Sequence, residues 1–301
     1  MALVANRVAV IINPISGSSG RRSVARERAE LAASRVAAGG FDVEVFVTDR
    51  PGHARELAAA VLGDGVPTVI AWGGDGTMNE VASVLAFRNA TLGLVPSGSG
   101  NGLARELGIP FDPARAIEVA LSGRERRIDA GELDGRLFFN IAGIGLDARV
   151  AHRFAARGLL RRGFIRYAAI TVHELFTYKP DYHTVVADGA VLQTQALLIA
   201  IANARQYGNG AVIAPAALVD DGRLDVVVVT ARPPLKALAQ LPRVFMGQIA
   251  RVPGVAMSAA VDIRVTSARP VLYHLDGEPY VGGASLVARP RPGALRVKVA
   301  P

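Results

Sequence analysis

Apolar runs alternate with amphipathic stretches along roughly the first 125 residues of this 301-residue chain. Short apolar runs predict buried strands at residues 8–12, 43–47, 68–71 and 92–95. Between and after them, helical spacing and helix-ending glycines predict helices at 21–38, 53–62, 78–87, 101–107 and 113–121. This alternation predicts an α/β domain, a parallel sheet with helices on its faces.

The pattern changes near residue 126, where strand signals separated by Asp-Gly pairs take over. They predict strands at 127–133, 137–141, 184–187, 196–202, 224–230, 261–265, 271–275 and 285–288. Helical inserts are predicted at 146–178 and 235–249. We therefore expect an α/β domain over 1–127 and a β-rich, antiparallel sandwich over 128–289. A last strand, within 290–301, is expected to return to the first domain.

Amino-acid composition limits the kinds of partner that the chain is expected to bind. Hydrophobic residues make up 50% of the chain, so a sizeable core is available, and cysteine is absent, which excludes disulfides and thiolate metal sites. A net charge of +8 favours anionic partners such as lipid or nucleotide. No nucleic-acid-binding pattern occurs, so nucleic acid is not expected. Without a leader or an 18-residue apolar run, a cytoplasmic protein is expected, peripheral at most on the inner face of the membrane.

Three loops rich in Gly, Ser and Asn follow three of the predicted strands, at residues 13–20, 72–80 and 96–105. If the strands are parallel, all three loops emerge at one carboxyl edge, where ligands bind in open α/β sheets. Glycine lets backbone approach an anion, and the following helix starts favour negative charge. Asp75 inside this cradle suggests a phosphate that arrives with a metal ion. Three common nucleotide-binding patterns do not occur. They are the P-loop, the Gly-x-Gly-x-x-Gly dinucleotide turn after the first strand, and the protein-kinase motifs.

The second loop carries a family resemblance. Gly73-Gly74-Asp75-Gly76-Thr77-Met78-Asn79-Glu80 resembles the signature of the diacylglycerol kinase catalytic-domain family, which includes soluble bacterial lipid kinases and the sphingosine and ceramide kinases. Four further segments resemble other elements of that family, in the same order: 13–17, 96–104, 140–147 and 275–279. The resemblance covers nearly the whole chain. It implies an N-terminal domain like those of NAD kinases and diacylglycerol kinases, followed by the β-rich second domain.

The resemblance also implies roles for individual residues. The implied ATP contacts are Asn13, Pro14, Ile15, Ser16, Gly17, Thr48, Gly73, Gly74, Asp75, Gly76, Thr77, Met78, Asn79, Glu80 and Ser99. Asp75 is implied to help hold the Mg²⁺ that bridges the phosphates. Asp276 and Glu278 of the second domain are implied to serve the acceptor hydroxyl, one of them as general base, with the choice between them open. A structural Mg²⁺ is implied at Leu218, Asp221 and Arg223, the outer two through backbone carbonyls.

Plainer interpretations compete with several of these roles. Asp276-Gly277 and Asp221-Gly222 are also ordinary hairpin-turn pairs. Asp147 is equally a charge at a helix start. The five histidines show no metal-ligand spacing, although His274 lies only two residues before Asp276.

A basic amphipathic segment follows Asp147. Its cations are Arg153, Arg157, Arg161, Arg162 and Arg166, interleaved with apolar residues between 154 and 167. Such a segment can lie on an anionic membrane, or it can be a solvated helix face.

The leading hypothesis is an ATP- and Mg²⁺-dependent lipid kinase that transfers the γ-phosphoryl group to the hydroxyl of a diacylglycerol-like lipid reached at a membrane surface. One alternative is an NAD kinase, which shares the Gly-Gly-Asp-Gly element. Another is a non-catalytic protein that binds nucleotide or lipid on the same fold. The residues leave open which lipid accepts the phosphoryl group and the oligomeric state, a homodimer included.

Overall fold

A computed structural model describes residues 6–17, 22–156 and 164–301, without the side chains at 22 and 164–167. The chain forms two compact units. Unit 1 comprises Met1–Ile128 with Gly293–Pro301, and unit 2 comprises Asp129–Pro292.

Unit 1 is an alternating α/β unit. Its strands and helices are, in chain order, β1 (Arg7–Ile12), α1 (Arg22–Ala38), β2 (Asp42–Val47), α2 (His53–Gly63), β3 (Thr68–Gly73), α3 (Asp75–Leu85), β4 (Thr91–Pro96), α4 (Gly102–Glu106) and α5 (Pro113–Ser122). The strand β5 (Arg124–Leu133) begins in this unit, and the strand β15 (Ser285–Val299) ends in it.

The sheet of unit 1 is parallel and has the strand order β2-β1-β3-β4-β15. Strands β1, β3 and β4 are almost wholly buried, which explains why they read as continuous apolar runs in the sequence. The C-terminal part of β15 extends the sheet, with Arg296 beside Thr91. The predicted parallel α/β domain is confirmed.

Helix α3 begins earlier than the sequence pattern predicts. The pattern places its start at residue 78, but the helix begins at Asp75, with Gly74 as the N-cap residue. Gly76 and Thr77 are weak helix formers, so the intrinsic preference of this turn hides its helical structure. The consequence is that Asp75 lies in the first helical turn, where the helix dipole favours a negative charge.

Unit 2 is rich in antiparallel strands. After β5 its elements are β6 (Arg136–Phe138), β7 (Ile141–Gly145), α6 (Leu146–Ala156), α7 (Phe164–Thr177), β8 (Tyr182–Ala187), β9 (Ala190–Ala202), β10 (Leu224–Thr230), α8 (Pro234–Leu238), α9 (Leu241–Phe245), a 3₁₀ turn (Ile249–Arg251), β11 (Val255–Ala260), β12 (Ile263–Ser267), β13 (Leu272–Leu275) and β14 (Glu278–Val281), before β15.

The long strand β9 organises this unit. Its first half pairs with β8, which continues to β12 and the start of β15. Its second half pairs with β7 on one side and β10 on the other. The order β14-β13-β7-β9-β10-β11 follows in that sheet. Every one of these pairings is antiparallel, as predicted.

Side chains of β9 and β10 alternate between two cores. Ile199 and Ile201 belong to the core shared with β8, β12 and β13, whereas Ala200 and Ala202 belong to a second core with α6 and α7. Because both faces are covered, β10 is apolar at nearly every position. The sequence therefore shows an uninterrupted valine run there.

The helical inserts differ in detail from the prediction. The first comprises α6 and α7, and the second is two five-residue helices and a 3₁₀ turn rather than one helix. Of the basic amphipathic segment, Arg157, Arg161 and Arg162 lie outside the described residues, as does the side chain of Arg166. Among the helices that the structure describes, each is too short or too polar to cross a bilayer.

Candidate active site

The three loops predicted to converge do so within unit 1. They follow β1, β3 and β4, which are neighbours in the parallel sheet, so the loops leave at the same edge. The first loop is described through Gly17, where the backbone takes a φ of 66°. A Cβ at Gly17 would lie 2.0 Å from the carbonyl oxygen of Ser97, so only glycine permits this contact.

The second and third loops also meet backbone to backbone. A Cβ on Gly98 would lie 2.6 Å from the Cα of Gly74, closer than two carbon atoms can approach. The Ser97 N–H donates to the carbonyl of Gly73 over 2.8 Å. Backbone atoms of the two loops are therefore in direct contact at the ends of β3 and β4.

Side-chain hydrogen bonds tie the first loop to the other two. The Ser16 and Ser97 hydroxyl oxygens are 2.5 Å apart, and the Asn13 amide donates to the Thr77 hydroxyl over 2.9 Å. The Arg28 guanidinium donates to the carbonyls of Asn13 and Ser16, each over 2.8 Å. The three loops therefore form one hydrogen-bonded group, which we call the loop cluster (residues 13–17, 73–80 and 96–102).

Asp75 joins two helix starts in the loop cluster. Its carboxylate accepts hydrogen bonds from the backbone N–H groups of Asn101 and Gly102, over 2.8 and 2.7 Å. Asp75 itself lies in the first turn of α3, and Gly102 is the first residue of α4. These bonds orient the carboxylate between two helix N-termini, where anionic groups are stabilised.

The other predicted ATP contacts lie in different environments. Thr48 and Thr77 are buried at the loop cluster or beside it, and the side chain of Met78 lies in the hydrophobic core. The Glu80 carboxylate accepts from the backbone N–H groups of Gly52 and Arg55, so it anchors the start of α2. Four predicted contacts expose backbone or side chain at the loop cluster, namely Pro14, Ile15, Gly76 and Ser99. Asn79 accepts from Ser83 along α3.

The loop cluster has the chemistry of a site for phosphate and a divalent cation. The N-terminus of α3 supplies backbone N–H groups, and the glycines let the three loops pack closely around it. A carboxylate oxygen is the ligand type that Mg²⁺ prefers. Among the described residues no group of three or more acidic, His or Cys side chains is arranged to hold a metal. Asp75 could therefore bind a metal only together with other oxygens, such as those of phosphate.

In unit 2, Asp276 holds a turn that we call the acidic turn (residues 274–278). Its carboxylate accepts three backbone hydrogen bonds, from Phe139, Asn140 and Ile141, over 2.9 to 3.0 Å. The Asp276 backbone has a positive φ of 48°, as in a hairpin turn. Asp276 is thus held in place by three hydrogen bonds from one backbone segment. Two residues later Glu278 is exposed to solvent.

A chain of polar side chains, with buried His274 at its centre, supports the acidic turn. The His274 Nδ1 accepts from the Gly277 N–H over 3.3 Å, so the neutral ring carries its proton on Nε2. That Nε2 lies 3.3 Å from the Asp147 carboxylate, which also accepts from the Tyr207 hydroxyl over 2.7 Å. A Cβ on Gly143 would lie 2.1 Å from this carboxylate, so glycine is needed beside it.

The predicted structural Mg²⁺ residues lie together before β10. The Asp221 carboxylate accepts from the backbone N–H of Arg223 over 3.0 Å, which makes a local turn. Burial and the nearby Asp221 charge raise the pKa of Asp225 to about 6. The side chain of Leu218 is exposed. A carboxylate and backbone carbonyls are suitable ligands for Mg²⁺. The metal site itself stays a prediction.

Two residues of these regions were missed by the sequence reasoning. Arg28 lies in an Ala- and Arg-rich helix and looks like any exposed arginine there, but it braces the first loop. Tyr207 is separated from Asp147 by 60 residues, so only the tertiary fold brings them together. No local pattern in the sequence marks either residue.

Two family models match the chain. The diacylglycerol kinase catalytic domain matches residues 7–133, and the YegS C-terminal NAD kinase beta sandwich-like domain matches residues 140–299. The first match contains the loop cluster, and the second contains the acidic turn. The predicted family and fold class are confirmed.

Full-length relatives agree with these matches. The "Probable lipid kinase YegS-like" of Klebsiella pneumoniae (strain 342) is 32% identical over 87% of this chain and 88% of its own length. The protein of the same name from Pseudomonas aeruginosa PAO1 is 34% identical over 90% and 88%. A solved structure described as a diacylglycerol kinase, from Bacillus anthracis str. Sterne, shares the fold with a TM-score of 0.74 at 20% identity, over 98% of this chain and 97% of its own. The chain therefore belongs to the family of YegS-like lipid kinases that carry a diacylglycerol kinase catalytic domain.

Proposed function

We propose that this protein transfers the γ-phosphoryl group of ATP, in a Mg²⁺-dependent reaction, to the hydroxyl of a diacylglycerol-like lipid. The observation that carries the proposal is the loop cluster, in which glycine backbones from three loops meet beside the oriented carboxylate of Asp75. The names of the relatives support a lipid acceptor.

In this proposal unit 1 binds the nucleotide. The first N–H groups of α3 face phosphate oxygens, while the N–H of Gly102 at the start of α4 holds the Asp75 carboxylate beside them. Gly74 and Gly98 let the second and third loops pack backbone to backbone around this position. Asn13 and Ser16 keep the first loop in place through Thr77 and Ser97. Phosphoryl transfer depends mainly on positioning and on neutralising charge, and the loop cluster is built for both.

Asp75 is the proposed protein ligand for Mg²⁺. When bound, the ion neutralises charge on the transferring phosphoryl group. Asp75 is fixed by the N–H groups of Asn101 and Gly102, so its direction is set before nucleotide binds. This preorganisation removes the cost of ordering the side chain at the moment of reaction.

Unit 2 serves the acceptor in this proposal, and its two acids have different roles. Asp276 is a positioning residue, since three backbone hydrogen bonds fix its carboxylate within the turn. Glu278 is exposed on the next strand and is the proposed general base for the lipid hydroxyl. The acidic turn is held in one conformation by the side chains of Asp147, His274 and Tyr207.

The two alternative functions predict different reaction products. An NAD kinase would phosphorylate a soluble dinucleotide, and a non-catalytic binding protein would phosphorylate nothing. The presence of Asp75, Asp276 and Glu278 argues against the non-catalytic alternative, and the names of the relatives argue against an NAD kinase.

An assay with γ-labelled ATP separates the three. The purified protein is incubated with Mg²⁺ and either fractionated cellular lipids, a synthetic diacylglycerol or NAD. The expected result is label in an organic-phase product from a lipid hydroxyl. Label in NAD only would establish the first alternative, and ATP binding without any labelled product would establish the second.

A further inference from the structure

We propose that a helical surface of unit 2 docks on an anionic lipid bilayer. This α7–α9 surface consists of the exposed apolar side chains on or next to α7, α8 and α9, which are Val172, Phe176, Leu235, Leu241, Phe245 and Met246. The inference goes beyond the proposed function, because docking of this kind requires neither ATP nor phosphoryl transfer.

The short helices α8 and α9 are apolar on two sides. On the inner side Ala237, Leu238 and Val244 pack against the second core of the unit. On the outer side Leu235 is 69% exposed and Met246 is 59% exposed. A helix that buries one apolar side and exposes another presents an apolar surface that a partner can cover.

Helix α7 extends the same surface. It contacts α8, and it presents Val172 and Phe176 to solvent. The acid of this helix does not reach the surface, since Glu174 is buried and forms ion pairs with Arg149 and Arg153. The apolar patch therefore spans two sequence segments that lie more than fifty residues apart.

The segment that carries α8 and α9 has charges of one sign. No Asp or Glu occurs from residue 226 to residue 261, whereas Arg232, Lys236, Arg243 and Arg251 fall within that stretch. Arg232 and Arg243 donate to neutral oxygens, of Pro253 and Gln240. In the described part of the chain, Lys236 and Arg251 form no ion pair, so their charge is available to a partner.

An anionic bilayer matches this combination better than a protein does. Apolar side chains of interfacial helices enter the acyl boundary, while the cations stay at the level of the headgroups. Each Lys or Arg near an anionic leaflet contributes on the order of 1 kcal/mol. A second copy of this chain would place the cations of one α7–α9 surface against those of the other.

Vesicle co-sedimentation of the full chain tests the proposal. The vesicles are pure phosphatidylcholine or phosphatidylcholine with roughly one-third phosphatidylglycerol, and they contain neither substrate nor nucleotide. The test variant combines Phe245→Ser with Met246→Ser. The matched control combines Val191→Ser with Val261→Ser, which are exposed to the same degree on strands of unit 2 or beside them, at 63% and 46% against 59% for Met246 and 47% for Phe245.

We expect the wild-type chain and the control to bind the anionic vesicles equally, and the test variant to bind about tenfold more weakly. A variant with Lys236→Gln and Arg251→Gln should lose most of the preference for anionic over neutral vesicles, as should the wild type at about 1 M salt. Wild-type binding by the test variant would overturn the proposal, as would failure of the wild-type chain to bind any vesicle. So would a test variant that loses self-association in light scattering while its vesicle binding is unchanged. Because these readouts exclude ATP, they do not depend on whether the chain is a kinase.

Discussion

The loop cluster of unit 1 and the acidic turn of unit 2 are both made of glycine-containing turns, but they are held in place differently. In the loop cluster, backbone lies directly against backbone, as at Gly74 and Gly98. In the acidic turn, a carboxylate collects backbone N–H groups from residues more than 130 positions away, as Asp276 does from Phe139 to Ile141.

This difference predicts different sensitivities. Steric contact makes the loop cluster vulnerable to one added methyl group, whereas charge makes the acidic turn vulnerable to one lost carboxylate oxygen. Asp75 belongs to both types, because it lies among the glycines and also binds two backbone N–H groups. Loss of Asp75 should therefore have the largest effect, because it removes both kinds of contact.

Replacing Asp75 by Ala should produce the largest loss of activity. The change removes the proposed metal ligand and the tie to Asn101 and Gly102, so kcat/KM for ATP should fall by about 10³-fold or more. Label transfer from ATP to lipid measures the loss, with thermal unfolding followed in parallel. The control is Asp64→Ala, at an exposed acid after α2. Turnover at the wild-type rate in Asp75→Ala would remove the metal role.

The two acids of unit 2 should separate in a pair of isosteric variants. Glu278→Gln should lower kcat by about 10²-fold or more and leave the melting temperature unchanged, since the side chain is exposed.

Asp276→Asn should instead destabilise unit 2 by about 2 kcal/mol. The NH₂ group of the asparagine would face a backbone N–H that now donates to the carboxylate, so one hydrogen bond would be replaced by a contact between two donors. Steady-state kinetics and thermal unfolding of both variants give the comparison. Should Asp276→Asn melt like the wild type while losing turnover, the roles assigned to the two acids must be exchanged.

An added methyl group at Gly98 should weaken nucleotide binding by about tenfold. The new Cβ would meet the Cα of Gly74 at 2.6 Å, so the second and third loops must move apart. The matched control is Gly63→Ala in the same unit, where a Cβ meets nothing within 4 Å. Calorimetric titration with MgATP measures both affinities. Equal affinity in the two variants would show that the contact between Gly74 and Gly98 does not shape the nucleotide site.

The smallest effect is expected at Tyr207. Changing it to Phe removes the 2.7 Å hydrogen bond to Asp147 but keeps the ring, so unfolding should become easier by about 1–2 kcal/mol and activity should fall about threefold. Tyr182→Phe, at a tyrosine that is 74% exposed, serves as the control. If both tyrosine variants melt at the same temperature, the polar chain behind the acidic turn contributes nothing to stability.

The parts of the fold that sequence reasoning predicted are those with strong local patterns. Buried parallel strands such as β3 stand out as apolar runs between turn residues. Strand β11 was missed because Val255–Ala260 consists mostly of small residues with weak strand preference. The first half of β9 was missed because half of its side chains face solvent and are polar. Strand β14 has four residues and contains Pro279, so no periodicity marks it.

The candidate site was predictable to a similar extent and for similar reasons. Glycine runs and the Asp-Gly pair are local, so the loop cluster and the acidic turn could be located from the sequence. The partners of individual side chains could not be predicted, because they come from distant segments. One example is Glu80, whose carboxylate binds the backbone at Gly52 and Arg55, a contact that depends on how α2 and α3 pack. Its predicted place at the nucleotide stays a prediction.

The most direct test of the central claim is the affinity of the full chain for ATP with Mg²⁺ and with EDTA, measured by calorimetry beside Asp75→Asn. We expect the wild-type chain to bind ATP much more tightly with Mg²⁺ than with EDTA, and Asp75→Asn to lose most of that difference. Equal dependence on Mg²⁺ in both proteins, or no ATP binding by the wild-type chain, would contradict the assignment of the loop cluster as a metal–nucleotide site.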